Sequence, residues 1–373
     1  MNIDAGIIGG GVVGLATALA LKERFPGAKI VVFEKNGEPF SEASRFNSGV
    51  VHSGIHQEPT FLKSRLAREG GPMLIAFCEA HNVPFRKTGM LIAVAAEDMM
   101  GLVGETKSLW HLYKNSRRQK IALEFLHHGE IEELEPYLHA SFGLYMPDIW
   151  VVDQPALGRA MVLEAERVGI GILCNAEVTA IDRSGDAYHV VSSYGVHAAR
   201  LVVNAAGVHA DSVAAMAGFS GYTIHPYRGE YYEVIGEKRN LIRNTLVYPA
   251  LRPGSPFKGI HITKTIDGRM FLGPNASPWK ERSDDFTVRT PPEVFLAAAK
   301  KFLPSLELKD LRWLHAGLRA KINPGLGEDD FVIKCEAKRS SFVNLVGIES
   351  PGFTSSFAIA RYVMQMAQEE RLF

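Results

Sequence analysis

Cysteine is scarce in this sequence. Cys78, Cys174 and Cys335 are the three in 373 residues, far apart and without a CxxC pair. That excludes a disulfide framework and removes the usual zinc signature, so no metal is expected. The thiols read as buried groups of a reducing compartment, and the protein as cytoplasmic. An excess of one charge sign is also missing: 41 Lys and Arg face 41 Asp and Glu. A neutral balance gives no support for nucleic acid as a partner. Long apolar runs are absent too, none approaching the roughly 18 residues of a membrane span. The apolar N-terminus lacks a basic leader, carries Asp4 and holds glycines at its centre, so it does not read as a signal peptide. Peripheral contact with a membrane stays open, because sequence reads it poorly.

What is present is an ordinary globular composition, 46% hydrophobic and 22% charged, long enough for two lobes. The most informative stretch is AGIIGGGVVGLATAL, Ala5 to Leu19. An apolar strand precedes Gly9, Gly11 and Gly14 at GxGxxG spacing, a helical pattern follows, and KIVVF then runs into Glu34. Strand, glycine turn, helix, strand and acid together make a dinucleotide-binding βαβ unit. Gly9 permits the tight turn, Gly11 lets a pyrophosphate approach the backbone, and Gly14 lets helix and strand pack closely. Glu34 suits a ribose diol and repels a 2′-phosphate, which argues against NADP.

Further along, helices are expected over 14–25, 60–82, 97–115, 153–168, 292–302 and 353–368. Strands are expected over 29–34, 87–95, 171–181, 187–193, 196–203 and 342–345. The segments 246–249, 259–265 and 269–273 suggest an antiparallel sheet. The acids from Glu130 to Glu135 read as a solvated helix start rather than a metal site. The order predicts an α/β chain: a Rossmann-like nucleotide lobe (1–85, 151–220 and 316–373) with an inserted mixed or antiparallel-sheet substrate lobe (86–150 and 221–315).

Two further places repeat the turn chemistry. LVVNAAG, Leu201 to Gly207, puts a strand before a small-residue turn. VNLVGIESPGFTSSF puts a strand, Gly347 and Gly352 before a last helix, whose N-terminus faces an electron-rich group. With the N-terminal unit, they resemble the FAD-dependent oxidoreductases of the D-amino-acid-oxidase-like superfamily. A single GxGxxG implies that the substrate, not NAD(P)H, is the reductant. SRFNSGVVHSGI (44–55), VVNAAGVHADSVA (202–214), YRGEYYEV (227–234), GIHITKTIDGRMFLGPNA (259–276), AGLRAKI (316–322) and GIESPGFTSS (347–356) narrow the resemblance to the L-2-hydroxyglutarate dehydrogenase/oxidase family. The chain departs from it at His56 and Gln57, at Lys264 and at Lys321. The resemblance implies FAD, with Gly9, Gly11, Val12, Val13 and Gly14 at the pyrophosphate and Glu34 and Lys35 at the adenosine ribose. Ser44, Arg45, Asn47, Ser48 and Gly49 would follow the pyrophosphate and ribityl chain, and Val178 would flank the adenine. Ala206 and Gly207 would line the nucleotide, and Gly352, Phe353 and Thr354 would close over the isoalloxazine.

Oxidising a 2-hydroxy acid requires a cation for the carboxylate, a base for the hydroxyl proton and exclusion of water. Arg319 matches the carboxylate-binding arginine of related oxidases, with a structural ion pair as the alternative. His52 and His261 are the candidate bases, with satisfied core histidines as the alternative; His56, His225 and His315 stand behind them. Arg228 and Lys264 could hold a second carboxylate, and Tyr248 could lend a hydroxyl. The electron acceptor stays open among oxygen, a quinone and an electron-transfer protein. The rival readings are an amino-acid or secondary-amine oxidase of the same fold, a non-catalytic flavin-binding protein and an NAD-dependent dehydrogenase.

Overall fold

The computed structural model describes residues 1–95, 98–251, 259–283, 287–323, 329–336 and 341–370. Glu97, expected to open a helix, lies outside them.

One sheet is built on five parallel strands in the spatial order Ser341–Val346, Gly195–Asn204, Asn2–Ile8, Ile30–Phe33 and Gly171–Leu173. Ile30–Phe33 and Ser341–Val346 are buried at every position. A parallel strand covered on both faces reads as an apolar run rather than an alternation. The helices Val12–Arg24, Leu62–Ala80 and Gly352–Glu369 pack against one another over this sheet. Their approach is close enough that a Cβ on Gly70 would meet the Thr354 carbonyl at 2.5 Å. The single strand expected over 171–181 is broken into Gly171–Leu173 and Val178–Ser184. Asn175 takes a left-handed turn between them, and the Ala176 amide donates to the Glu34 carbonyl. The break therefore carries Ala176 to Val178 over the end of the second strand.

The second sheet has nine strands and is mixed. Leu246–Pro249 pairs in parallel with Met90–Val94 and antiparallel with Ile262–Lys264, which pairs with Met270–Leu272. Its longest ladder was not foreseen: His225–Val234 runs antiparallel to Leu311–Lys321, from His225 opposite Lys321 to Val234 opposite Leu311. The lobe boundaries expected at 86, 151 and 316 each coincide with a position inside a strand, respectively Phe85–Lys87, Trp150–Val152 and Leu311–Lys321.

The acid cluster is not simply a solvated helix start. His128–Leu134 is a helix with a capping box through Glu130. Glu135, however, is buried, and its carboxylate accepts from the amides of Arg243, Asn244 and Thr245. Cys78 is buried, with its pKa pushed up to about 12 by that burial, whereas Cys174 and Cys335 are half-buried. Among the described residues no helix is long and apolar enough to cross a membrane.

Candidate active site

A cavity of about 500 Å³ opens at the carboxyl ends of the parallel strands, where Ile8, Phe33, Ala205 and Leu345 line it. In open parallel sheets ligands bind outside those ends. The second sheet supplies the opposite wall through Gly229, Tyr231, Gly317 and Arg319.

The glycine turn is built as its spacing requires. Gly9 has φ +105°, and a Cβ there would meet the Ala205 carbonyl at 2.5 Å. A Cβ on Gly14 would lie 2.0 Å from the Gly9 carbonyl oxygen, so Gly14 serves packing and does not line the cavity. Gly11 caps the first helix, and the Val12 amide donates to Ser44 Oγ at 2.9 Å. Glu34 ends the second strand with its carboxylate at the cavity. Its Oε2 accepts from the Gly10 amide and its Oε1 from the Asn36 amide, both at 2.8 Å. Burial is the largest influence on this carboxyl and raises its pKa despite those two bonds.

Lys35, Ser44, Asn47, Ser48, Val178, Ala206 and Gly207 also line the cavity. Lys35 lies 3.0 Å from His209 Nε2, and burial, then Lys35, holds His209 below the usual imidazole range. Gly352, Phe353 and Thr354, the first turn of the last helix, present the positive end of its dipole. The Thr354 hydroxyl accepts from the His52 amide at 3.0 Å, which ties the 44–55 loop to that helix.

His52, His261 and Arg319 all line this cavity. Tyr248 lies behind them, fully buried, its ring stacked on His261 at 3.8 Å and flanked by His56 at 6.1 Å. Burial raises the Tyr248 phenol pKa. Arg319 passes over Gly229, where a Cβ would stand 3.6 Å from its Nε. Among the described residues no carboxylate pairs with Arg319.

Other candidates lie elsewhere. Arg228 is buried against Glu230 at 3.0 Å, with its guanidinium over the Trp279 ring at 4.0 Å. Lys264 is buried on the far side, donating to the Ile242 carbonyl at 2.7 Å. Arg45 turns outward to Glu38 at 2.8 Å. Gly49 shapes the loop instead of the cavity: its φ is +68°, and a Cβ would meet the Val152 carbonyl at 2.5 Å. His225 pairs with Lys321 at the ladder's end, outside the cavity.

Sequence reasoning missed Tyr231, Phe46 and His209, which also line the cavity. Tyr231 is buried, hydrogen-bonds Ser48, and has its pKa pushed up to about 12 by burial. Tyr231 and Phe46 sit inside the RGEYY and SRFNSG strings, and His209 two residues after NAAG. The signal was present, but the side chain's direction was not.

Comparison with known proteins decides the family. The model of the FAD-dependent oxidoreductase family matches residues 4–366. The chain belongs to that family. An L-2-hydroxyglutarate dehydrogenase from Indibacter alkaliphilus is 28% identical, covering 98% of this chain and 99% of its own. The mitochondrial L-2-hydroxyglutarate dehydrogenase of Caenorhabditis elegans is 30% identical over 98% of this chain and 93% of its own. An L-alpha-glycerophosphate oxidase from Mycoplasma pneumoniae, solved with FAD bound, superposes with a TM-score of 0.88 at 26% identity, covering 99% of this chain and 95% of that one. The protein is thus an FAD-dependent oxidoreductase, and the cavity fits its cofactor. Two helix N-termini suit a pyrophosphate and an electron-rich ring, a buried carboxylate suits a ribose diol, and a Cβ on Gly207 would project into open space.

Proposed function

We propose that the protein oxidises a small L-2-hydroxy acid, L-2-hydroxyglutarate or a near relation, to the 2-oxo acid. FAD, when bound, supplies the two-electron acceptor for the hydride that leaves Cα. The observation that carries the reading is Arg319, a guanidinium without a carboxylate partner among the described residues, at the cavity that His52 and His261 also line. In this reading Arg319 holds the substrate carboxylate through paired N–H bonds and so orients Cα. His261 or His52 takes the hydroxyl proton as the hydride departs. The glycine turn, Glu34, Ser44 and Ser48 hold the dinucleotide, and Tyr231 and Phe46 help to keep water from the reacting end. The likeness to L-2-hydroxyglutarate dehydrogenases supports the same substrate class.

One observation favours a second reading. Arg228 and Lys264, the cations expected for a second carboxylate, do not line the cavity. A hydroxy compound with one anionic group, such as glycerol 3-phosphate, would need neither, and a glycerophosphate oxidase is among the similar structures. Anaerobic bleaching of the flavin absorbance separates the readings. L-2-hydroxyglutarate, L-lactate, glycerol 3-phosphate, glycine and proline are each added to the yellow protein. Fast bleaching by a 2-hydroxy acid supports the first reading, and bleaching by glycerol 3-phosphate alone supports the second. Bleaching by the amino acids alone overturns both. Reoxidation with oxygen, a soluble quinone or an electron-transfer flavoprotein then identifies the acceptor.

A further inference from the structure

The helix Met99–Gln119 packs one face on the second sheet, burying Leu109, Leu112, Asn115, Ser116 and Gln119. Its other face is exposed and mixes large apolar side chains with polar and basic ones. Met99 is 73% exposed, Met100 79%, Val103 48%, Trp110 58% and Tyr113 38%. Met100 and Val103 are three residues apart, Val103 and Trp110 seven, and Trp110 and Tyr113 three, so these side chains share one side of the helix. Trp110 and Tyr113 stack on each other at 5.3 Å in the open. Large apolar side chains gathered on a surface mark a contact site, whereas scattered ones need no explanation.

Cations lie among these apolar side chains. Lys107, Lys114, Arg117 and Arg118 are exposed on the same side, and Lys114 Nζ lies 5.4 Å from the Trp110 ring centroid. Between Met99 and Gln119 the single acid is Glu105, whose carboxylate is turned to the Ala95 amide. The whole chain is neutral, so this is a local separation of charge. The edge strand Glu124–His127 carries one more exposed apolar side chain, between exposed Glu124 and His127. Phe125 on it is 62% exposed and shares a sheet face with Leu144, which packs under the helix.

We propose that this helix face docks on an anionic lipid surface. Met99, Met100, Val103 and Trp110 enter the headgroup boundary, and the flanking Lys and Arg meet the lipid phosphates. A second copy of the chain is the poorer fit. A two-fold contact would set the same cations against each other, and interface cores exclude lysine.

The test is flotation of the FAD-loaded full chain with vesicles, comparing phosphatidylcholine with a phosphatidylcholine–phosphatidylglycerol mixture at low and high salt. The parent chain should float with the mixed vesicles at low salt and remain below with phosphatidylcholine or at high salt. The double variants Met100→Ser/Trp110→Ser and Lys114→Glu/Arg117→Glu should each lower the bound fraction roughly tenfold or more, with flavin reduction in solution unchanged. The charge variant alters exposed side chains alone, so it keeps the test informative if the apolar one folds poorly. Failure of the parent to float, or flotation of both variants at the parent level, overturns the proposal. So does a parent dimer that Met100→Ser/Trp110→Ser splits without any vesicle binding, which would make the face a contact between copies. A failed bleaching panel leaves this test untouched, because flotation reads no activity.

Discussion

Arg228 and Glu230 lie 3.0 Å apart on one strand, 3% and 0% exposed, with Gly229 between them turned the opposite way. Alternation along the strand sends Gly229 and Tyr231 to the cavity and the charged pair to the other face. Glu230 is further held by the Thr290 amide at 3.0 Å and by Asn275 at 3.0 Å. Removing one partner strands a buried charge. Arg228→Met is therefore expected to lose about 3–5 kcal/mol of stability in denaturant unfolding, while the folded fraction keeps near-parent kcat/KM. A variant of parent stability with lost turnover would return Arg228 to the substrate.

Arg319 should behave in the opposite sense. It reaches the cavity from the strand facing Arg228, opposite Tyr227. Arg319→Met should retain FAD and a near-parent Tm, yet lose roughly 3 kcal/mol or more of transition-state stabilisation, read from kcat/KM. Early melting with parent kcat/KM would make it a structural residue.

The two cavity histidines differ in their support. His261 is stacked on a buried tyrosine, whereas His52 is tied to the last helix through its own backbone. Replacing the base by Asn should slow anaerobic flavin reduction by roughly a hundredfold or more near neutral pH, with substrate still bound. If His261→Asn and His52→Asn both reduce at the parent rate, neither is the base.

Gly11 has Ser44 Oγ within 2.9 Å of where a Cβ would stand, and that oxygen holds the Val12 amide. Gly11→Val should purify without flavin, seen as loss of the absorbance near 450 nm expected of a bound flavin. Full yellow colour would remove the pyrophosphate from this turn.

His315 packs among Phe46 at 5.5 Å, Tyr231 at 4.9 Å and Phe271 at 6.2 Å. Burial, with a smaller contribution from Arg269, lowers its pKa from 6.5 to about 4. The folded state thus prefers the neutral ring. The stability this confers is full above 6.5 and is lost as pH falls towards about 4. Between about pH 7 and about pH 4.5, the parent should lose roughly 2 kcal/mol more than His315→Phe. Urea unfolding at the two pH values measures it, and parallel losses would show that His315 does not titrate in this way.

The glycine-turn end of the cavity was legible in the sequence because its chemistry is local. Gly9, Gly11, Gly14 and Glu34 belong to one short βαβ unit, where glycine spacing and apolar runs dictate turn, helix and strand within a few residues. The end expected to take substrate was legible as residue types but not as an arrangement. Arg228, Lys264 and Arg319 are three basic residues in strands, and nothing local tells which face each strand turns inward. The ladder between His225–Val234 and Leu311–Lys321 joins segments some ninety residues apart, and its register sets which side chains share a face. A slip of one residue would exchange Arg228 for Gly229 at the cavity. That choice belongs to long-range strand pairing, so the tertiary structure alone brought Arg319 to the cavity that the histidines line and turned Arg228 away.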